Sequence, residues 1–434
     1  MFLLLNQGDI VVSSTGAQFK VMEMLGAGGQ GEVYRVTSDS SEWALKWYIN
    51  TQGTDEQREA LEKLIRNGQP TSKFLWPVDL MTAPDRPGFG YIMPLRERRF
   101  KSIVDLMKGR IDPTFANLVT ASFELVDSYK KLHAEGLCYK DISFGNVFLD
   151  PGTGEIRICD NDNVRVDKQS LNAGVGGTPR FMAPEIVRGE ARPSLNTDLF
   201  SLAVLVFYMF TISHPLEGKR ETAIHSFDAP AMKKIYGDEP IFIFDPNDDT
   251  NRPDPTVHTC VEKYWSIYPD FIKALFIRSF TDGIRDPENG RVREGEWRAA
   301  LLRLKDSIIF CGHCGCENFC EEGSEQICWN CKHPVSLPPR IQIEDRTIML
   351  NHDTYLNQHH LDGTSYDLKT KIATLSQNPK NPAIWGLKNC TDHDWIATSV
   401  DGIRNSIGSG QSIALKDGLV IDFGTIRGEI RYDS

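Results

Sequence analysis

The sequence has no apolar run long enough to cross a membrane. Its longest, Leu199–Ile212, falls short of the ~20 residues that a spanning helix needs. This run predicts a buried core helix instead, with Asp198 near its N-terminus. The apolar stretch after Met1 is also short, and no basic segment precedes it, so we expect neither a signal peptide nor a membrane partner.

Basic charge is scarce and scattered. The 434 residues include 48 Lys and Arg against 59 Asp and Glu, a net charge of −11, with no basic run of note. Binding to nucleic-acid phosphates needs clustered Lys and Arg, so no nucleic-acid partner is expected. Internal repeats and low-complexity tracts are also missing. The 40% hydrophobic and 25% charged residues are typical of a soluble protein, and the length allows two or three domains.

Cysteine is sparse outside one short segment. Six of the ten cysteines lie between Cys311 and Cys331, which favours a metal site over a disulfide framework and predicts a reducing, cytoplasmic setting. Cys311-x2-Cys314 and Cys328-x2-Cys331 have the spacing of two zinc knuckles. These four thiols are the predicted ligands of a structural Zn²⁺ in a zinc ribbon. Spare potential ligands lie nearby, and a ligand exchange with them stays open: Cys316, Cys320, His313 and His333.

Composition divides the chain into three regions. Residues 1–308 show alternating apolar runs to about residue 95 and then helical spacing, as in Thr114–Gly136. Residues 309–335 hold the cysteine cluster, and a proline-rich break follows. Residues 341–434 have short strand-like runs between turn signals, which predict an all-β sandwich. The predicted fold class is therefore α+β, with the zinc ribbon and the sandwich as separate domains after the first.

A glycine-rich stretch, LGAGGQGEVYRV, lies near the start of the chain. Gly26, Gly28 and Gly31 form G-x-G-x-x-G, and Val33 follows two residues later. Glycines let a backbone approach phosphates closely and direct N–H groups at them. The same letters occur in dinucleotide-binding folds and in plain turns. Strand-like runs flank this motif on both sides, which predicts a hairpin rather than the strand-to-helix turn of a dinucleotide fold.

Lys46 lies in the next strand-like run, WALKWY. A lysine in this place reaches the α- and β-phosphates of ATP and pairs with a glutamate of the following helix. The alternative is a solvated strand lysine, but the apolar neighbours favour the phosphate role. Glu56 and Glu59 share one face of the next predicted helix, and Glu59 is the predicted partner. Two further nucleotide contacts are predicted at Ala44 and Met93.

Three polar residues farther along, Asp141, Asn146 and Asp160, resemble the set that protein kinases use for phosphoryl transfer. This reaction needs positioning and charge neutralisation more than covalent help. A carboxylate must orient the attacking hydroxyl and accept its proton, which is the role predicted for Asp141. Oxygen ligands must hold Mg²⁺ (or Mn²⁺) against the phosphates, the role predicted for Asn146 and Asp160. Each residue alone would be read as a cap or a surface group, but together they predict a site.

Residues 15–305 resemble a eukaryotic-type Ser/Thr protein kinase. The family's motifs occur in order: the glycine loop, Lys46, Asp141 with Asn146, Asp160, GGTPRFMAPE (Gly176–Glu185) and TDLFSLAV (Thr197–Val204). The resemblance implies a bilobal kinase fold, with an N-lobe over about 1–95 and a C-lobe over about 96–308. It further implies ATP, Mg²⁺ and protein substrates, and an ion pair between Arg291 and Glu185.

Several positions depart from the family's pattern. Tyr139 and Lys140 replace His and Arg, which puts regulation by a phosphorylated activation loop in doubt. Ser143 replaces a Lys that touches the transferred phosphate in Ser/Thr kinases. Asn161 and Asp162 replace the Phe and Gly of D-F-G. For Asp162, a metal contact and a loop-capping carboxylate are both open.

The retained charged groups favour an active kinase over the alternatives. An ATP-binding pseudokinase scaffold that signals through partner contacts is the second hypothesis, and Ser143 and the Asp160-Asn161-Asp162 motif favour it. A small-molecule kinase is the third, and the GTPRFMAPE segment, which shapes a peptide site in protein kinases, argues against it. In that segment Thr178 is interpreted as structural, and Ser170 is the other hydroxyl after Asp160.

The altered motifs DISFGNVF, CDNDNV and FLWPVDL resemble those of kinases found beside bacterial tellurite-resistance-type (TerY) proteins. That subfamily also carries a cysteine cluster after the kinase. The resemblance implies a von Willebrand factor A protein and a PPM-type phosphatase as partners. In the tail, Gly410–Gly424 resembles the closing strands of a forkhead-associated (FHA) domain. Phosphothreonine binding and a docking or autoregulatory role both stay open, because the family's binding residues are not located.

Overall fold

The fold is described from a computed structural model that covers residues 4–39, 41–49, 51–84, 86–167, 177–321 and 325–432, with the backbone alone at 382–383. The chain forms two compact units. One holds Met1–Ser266 and Lys273–Arg298, and the other holds Ile267–Ile272 and Ala299–Ser434. Each unit is described by itself.

The first unit opens with an antiparallel barrel of six strands and one helix. Its elements are β1 (Ile10–Ser13), β2 (Gln18–Ala27), β3 (Gly31–Ser38), β4 (Ser41–Tyr48), α1 (Asp55–Asn67), β5 (Asp79–Ala83) and β6 (Arg86–Pro94). The strands are ordered β1-β2-β3-β4-β6-β5. In β3 the buried Tyr34 and Val36 alternate with more exposed residues, the period of a strand with one face on a core. The antiparallel pairing of β2 with β3 confirms the predicted hairpin at the glycine motif.

Helices dominate the rest of the first unit. In chain order the elements are β7 (Lys101–Ser102), α2 (Ile103–Met107), α3 (Phe115–Ala134), β8 (Leu137–Cys138), β9 (Val147–Leu149), β10 (Ile156–Ile158), β11 (Arg165–Val166), α4 (Pro184–Val187), α5 (Leu195–Thr211), α6 (Lys219–Thr222), α7 (Ala229–Lys233), α8 (Thr259–Trp265), α9 (Asp270–Phe280), α10 (Asp282–Arg285) and α11 (Glu294–Asp306). The division between the two units falls inside α9 and α11.

The two long helices of this unit form where the apolar spacing predicted them. Helix α3 begins after Thr114, whose hydroxyl accepts a hydrogen bond from the amide of Asn117. Helix α5 begins after Ser194 with a reciprocal capping box to Thr197. Every residue of α5 from Thr197 to its end is buried, which confirms the predicted core helix. Among the described residues, no helix combines the length and apolar composition that crossing a membrane requires.

The second unit is mostly strands. After the end of α11 come β12 (Ile308–Phe310), β13 (Glu317–Phe319), β14 (Arg340–Ile343), β15 (Arg346–Met349), β16 (Tyr355–Asn357), α12 (Gln358–Leu361), β17 (Lys371–Asn378), β18 (Asn381–Asn389), β19 (Trp395–Thr398), β20 (Arg404–Ile407), β21 (Ser412–Ala414), β22 (Val420–Asp422) and β23 (Arg427–Arg431). The larger sheets are ordered β15-β14-β23-β22-β19-β20 and β16-β17-β18-β21. Side chains of both, including Ile341, Leu387 and Trp395, share one buried core. The tail thus has two sheets around a core, with one helical turn, α12, that the all-β prediction lacked.

The boundaries of the units differ from those expected from composition. The first unit ends at Arg298 rather than near residue 308. The end of α11 belongs to the second unit, where Asp306 Oδ1 lies 3.1 Å from His360 Nε2 and the Ser307 carbonyl accepts from the Cys320 amide at 2.7 Å. Residues 309–335 and 341–434 lie in that same unit. Composition shows where the types of residue change along the chain, but it does not reveal hydrogen bonds between residues that are far apart in sequence.

Candidate active site

The glycine-rich turn between β2 and β3 borders a cavity of about 1060 Å³. The Gly28 N–H donates to the Gly31 carbonyl at 2.9 Å and closes the turn. At Gly31 a Cβ atom would lie 2.2 Å from the carbonyl oxygen of Trp47, so only glycine fits there. All of the predicted nucleotide contacts line this cavity: Gly26, Gly28, Gly31, Val33, Ala44, Lys46 and Met93.

Lys46 lies on β4 with its side chain only 5% exposed. Its ammonium donates to Asp160 Oδ1 and Gln30 Oε1, each at 2.7 Å, and to both carboxylate oxygens of Asp162 at 2.9 Å. Burial alone would lower the pKa of Lys46, but the Asp162 and Asp160 carboxylates outweigh it and raise that pKa. Lys46 is therefore a buried, charged lysine at the cavity wall, as the phosphate role requires, and not a solvated strand residue.

Asp162 is neither exposed nor a simple loop cap. Its side chain is fully buried, and besides Lys46 it accepts hydrogen bonds from the hydroxyls of Tyr48 and, at 3.0 Å, Tyr91. Burial opposes ionisation, but Lys46 and these hydroxyls hold the pKa of Asp162 below its usual value. Sequence reasoning missed Tyr48, Tyr91 and Gln30 as members of the site.

The predicted pair between Lys46 and Glu59 is not formed among the residues that the structure describes. Glu59 and Glu56 share a face of α1, as expected, but that face is exposed. The residue of α1 that reaches the site is Gln57, whose Nε2 donates to the Tyr48 hydroxyl at 3.1 Å and to the Asp162 carbonyl at 3.4 Å. The contact that α1 makes here is thus through a neutral amide rather than a carboxylate.

Asp141 and Asn146 lie together on the turn between β8 and β9, and both line the same cavity. Asn146 Nδ2 donates to the carbonyl of Asp141 at 2.9 Å and to its Oδ2 at 3.2 Å. Asp141 Oδ1 accepts from the amide and the hydroxyl of Thr178, both at 3.0 Å. These contacts fix the Asp141 carboxylate from two sides and give Thr178 the structural role predicted for it. Ser170 and Gly176 lie outside the described residues.

A buried cluster of charged residues, Asp198, His133 and Glu294, holds the backbone of this turn. Asp198, at the start of α5, accepts from the backbone N–H groups of Tyr139 and Lys140. Lys140 has a positive φ of 72°, a strained conformation for a lysine. His133 joins Asp198 to Glu294, with its Nε2 at 3.2 Å from Asp198 Oδ2. Asp198 therefore fixes the backbone immediately before Asp141.

Asp160 also lines the cavity. Its backbone is left-handed, with φ 59°, and its Oδ2 accepts from Asn163 Nδ2 at 3.3 Å. Burial is the main cause of a raised pKa at Asp160, with the nearby Asp162 carboxylate adding to it and Lys46 opposing it. The amide oxygen of Asn146 and the carboxylate of Asp160 are hard oxygen donors of the type that Mg²⁺ prefers, so the residues fit the predicted ion.

The ion pair expected in the helical part is confirmed. Arg291 Nη2 donates to Glu185 Oε1 at 2.7 Å and to Oε2 at 2.8 Å, and the arginine side chain is only 2% exposed. Arg291 Nη1 also donates to the Asn196 carbonyl, at 2.7 Å. One buried guanidinium thereby ties the segment after Thr178 to the start of α5.

In the second unit, the four predicted cysteine ligands come together. The sulfurs of Cys311, Cys314, Cys328 and Cys331 all lie within 4.8 Å of one another, and Cys311–Cys331 and Cys314–Cys328 are each 3.6 Å apart. Tetrahedral zinc with Zn–S bonds of about 2.3 Å places sulfurs about 3.8 Å apart, so the donor set fits Zn²⁺. A second group, His313 with Cys331 and His333, shares one of these sulfurs.

Both cysteine pairs have the same local backbone. The residue after each pair has a positive φ, 73° at Gly315 and 61° at Lys332. Its N–H donates to the carbonyl of the first cysteine, at 2.8 Å for Gly315 to Cys311 and 3.0 Å for Lys332 to Cys328. The two turns thus present their thiols in matching fashion, as expected for paired knuckles.

Comparison with known proteins gives consistent matches to the first unit. The family described as "Protein kinase domain" matches residues 19–264. Similar proteins include the serine/threonine-protein kinase PknK of Mycobacterium bovis (25% identical over 204 residues), the DNA damage-responsive serine/threonine-protein kinase RqkA of Deinococcus radiodurans (26% over 214) and the probable serine/threonine-protein kinase CCRP1 of Zea mays (26% over 201). These matches cover 45%, 48% and 45% of this chain but only 18%, 32% and 31% of the relatives. The chain thus spans about a fifth to a third of the length of these relatives.

Proposed function

The chain belongs to the protein kinase domain family, and on that premise we propose that it is an ATP-dependent protein serine/threonine kinase. The observation that carries this proposal is the convergence of Lys46, Asp141, Asn146 and Asp160 on the cavity beneath the glycine turn. The Ser/Thr kinases among its relatives support the same activity.

Each of these residues has a distinct role in the proposed transfer. Asp141 orients the hydroxyl of the protein substrate and accepts its proton, held in place by Thr178 and Asn146. Lys46 binds the α- and β-phosphates of ATP. Asn146 and Asp160 would hold Mg²⁺, which would neutralise the charge of the phosphates.

We further propose that the kinase works in a bacterial signalling module. We assign it to the kinases associated with tellurite-resistance-type (TerY) proteins, with a von Willebrand factor A protein and a PPM-type phosphatase as partners, in the cytoplasm. The altered metal motif and the cysteine segment after the kinase support this assignment. The four clustered thiols form a structural zinc ribbon, and the two-sheet tail is FHA-like.

A second candidate function is an ATP-binding scaffold without transfer. It is favoured by one observation: Lys46 is bound by two carboxylates, and one of them, Asp160, is the proposed metal ligand. The buried Ser143 also supplies no positive charge to the transferred phosphate. The two candidates differ in transfer but not in nucleotide binding.

The test is phosphate transfer from labelled ATP with Mg²⁺ or Mn²⁺, for the wild type and Asp141→Asn. The exposed Asp112→Asn is the matched control, and candidate von Willebrand-type partners serve with generic proteins as acceptors. We expect label with the wild type and the control, and a loss of roughly 10²-fold or more in D141N. Binding of MgATP, measured by calorimetry, should persist in all three. Binding without any transfer would replace the kinase by the scaffold, and absence of both would refute each.

A further inference from the structure

The carboxylate that holds Lys46 comes from an unexpected place. In the family a glycine occupies the third position of the metal motif and has no side chain to offer. Here Asp162 fills that position, and both of its carboxylate oxygens lie 2.9 Å from the Lys46 ammonium, with no exposed surface on the aspartate side chain. A buried ammonium facing two oxygens of one carboxylate is the arrangement that the family obtains from a helical glutamate.

The barrel is built to receive this carboxylate. Lys46 and Tyr48 are two residues apart on β4 and therefore share one face, and Tyr91 of β6 is the direct register partner of Lys46. Both tyrosine hydroxyls donate to Asp162. Three side chains of neighbouring strands thus converge on one carboxylate and donate to both of its oxygens.

Helix α1 is linked to the same point by a glutamine side chain rather than by a carboxylate. Gln57 donates to Tyr48 and to the Asp162 carbonyl, and Arg165 donates both to that carbonyl and to Gln57 Oε1. Glu59, the acidic residue expected to face Lys46, is exposed. The helix therefore contacts the loop that holds Lys46, but it does not hold Lys46 itself.

We propose that Asp162 is the residue that positions Lys46 for phosphate binding, in place of a glutamate on α1. This inference rests on the proposed kinase function. Because Asp160 and Asp162 belong to one short turn, Asn161–Asn163 and its cap, the lysine and the proposed metal ligand are placed by the same loop. In this kinase, displacement of α1 would then leave the lysine pair intact, whereas displacement of the metal loop would break both interactions together.

The experiment compares carboxylates at the two positions. Asp162→Asn removes the charge at constant shape, and Asp162→Gly restores the family's residue. The double variant D162G/Q57E moves a carboxylate to the position on α1 next to Tyr48. Glu59→Gln tests the competing assignment, and Glu62→Gln, exposed on the same helix, is the matched control. Each variant is assayed in the full chain for kcat, for KM of ATP, and for MgATP affinity by calorimetry, with thermal melting to monitor folding.

We expect D162N and D162G to lower kcat by roughly 10²-fold and to raise KM for ATP, since Lys46 loses its anchor. D162G/Q57E should recover about tenfold of the loss in D162G, a rescue that a merely structural role of Asp162 does not predict. E59Q should behave like E62Q. Unchanged or higher activity in D162N would overturn the proposal, because Asp162 would then sequester Lys46 from the phosphates. A loss in E59Q equal to that in D162N would also overturn it.

The outcome remains decisive if the wild type transfers no phosphate. In that case the kinase function fails, and the positioning of Lys46 is judged from MgATP affinity alone. A weakening of about fivefold or more in D162N, with E59Q unchanged, would support the role of Asp162 in nucleotide binding. Equal or tighter binding by D162N would refute it.

Discussion

A buried histidine beneath the turn that holds Asp141 should carry a proton at neutral pH. His133 is only 7% exposed and lies between the carboxylates of Asp198 and Glu294. Burial works against the imidazolium, but hydrogen bonds to Asp198 and Glu294 outweigh it and raise the pKa of His133 to about 9. The charged histidine neutralises part of the negative charge on Asp198, which in turn holds the backbone before Asp141.

The size of the effect follows from the shift. A pKa of about 9 in the folded protein against 6.5 in the unfolded chain is about 2.5 units, worth about 3 kcal/mol of unfolding free energy. Because the folded pKa is the higher one, this stabilisation is fully present below pH 6.5. It is still about 2.5 kcal/mol at pH 7 and is lost as the pH rises through 9. Alkaline pH should therefore weaken the support of the turn that holds Asp141.

The assay is urea unfolding of the wild type and His133→Gln at pH 6, 7.5 and 9.5, with His225→Gln as an exposed control. At pH 7.5 H133Q should lose roughly 3 kcal/mol, because two carboxylates are left without their buried partner. The wild type should lose stability between pH 7.5 and 9.5 more steeply than H133Q does. In a pH titration of labelled wild type, the His133 ring signal is identified as the one that is missing in H133Q. Its titration midpoint should lie near pH 9. A His133 midpoint at or below 6.5 would refute the reasoning.

Two further predictions concern the zinc ribbon and the lower ion pair. Elemental analysis should find one Zn²⁺ per chain. Cys328→Ser should lose both this zinc and the cooperative melting of the second unit, whereas Cys316→Ser should keep the zinc. Full zinc content in C328S would contradict the site. Arg291→Lys keeps the charge but loses two carbonyl contacts, so it should lower the unfolding free energy by about 2 kcal/mol. The control is Arg285→Lys at an exposed position, which should change the unfolding free energy by less than about 0.5 kcal/mol. Equal losses of stability in the two variants would contradict the buried ion pair.

The groups that carry the proposed chemistry were predictable because their spacing along the chain is local. Asp141 and Asn146 lie on one turn, and the glycine motif lies in one hairpin, so short stretches of sequence fix their geometry. The tyrosines around Asp162 were not predictable in this way. Tyr91 meets Lys46 only through the pairing of β4 with β6, and that register depends on the whole barrel.

The inward face of α1 was readable from the sequence but was misjudged. The buried residues of this helix are Leu61 and Leu64. Gln57 lies four residues before Leu61 and seven before Leu64, so it shares their face, whereas Glu59 does not. The apolar spacing thus predicts Gln57 as the residue that faces the core. The expectation of a glutamate there came from the family resemblance and not from the helix itself.

A glutamine at 57 and an aspartate at 162 are best understood as one compensated change. In this buried site the charges of Lys46 and Arg165 balance those of the Asp160 and Asp162 carboxylates before any ligand binds. A carboxylate in place of Gln57 would pair with Arg165 but would still leave one negative charge without a matching cation at low dielectric. Moving the carboxylate from the helix to the loop therefore requires a neutral residue on the helix, and Gln57 supplies one that still hydrogen-bonds to Tyr48 and to the loop. Under this argument Q57E alone should be less stable than the wild type, while the same substitution in the D162G background should not be.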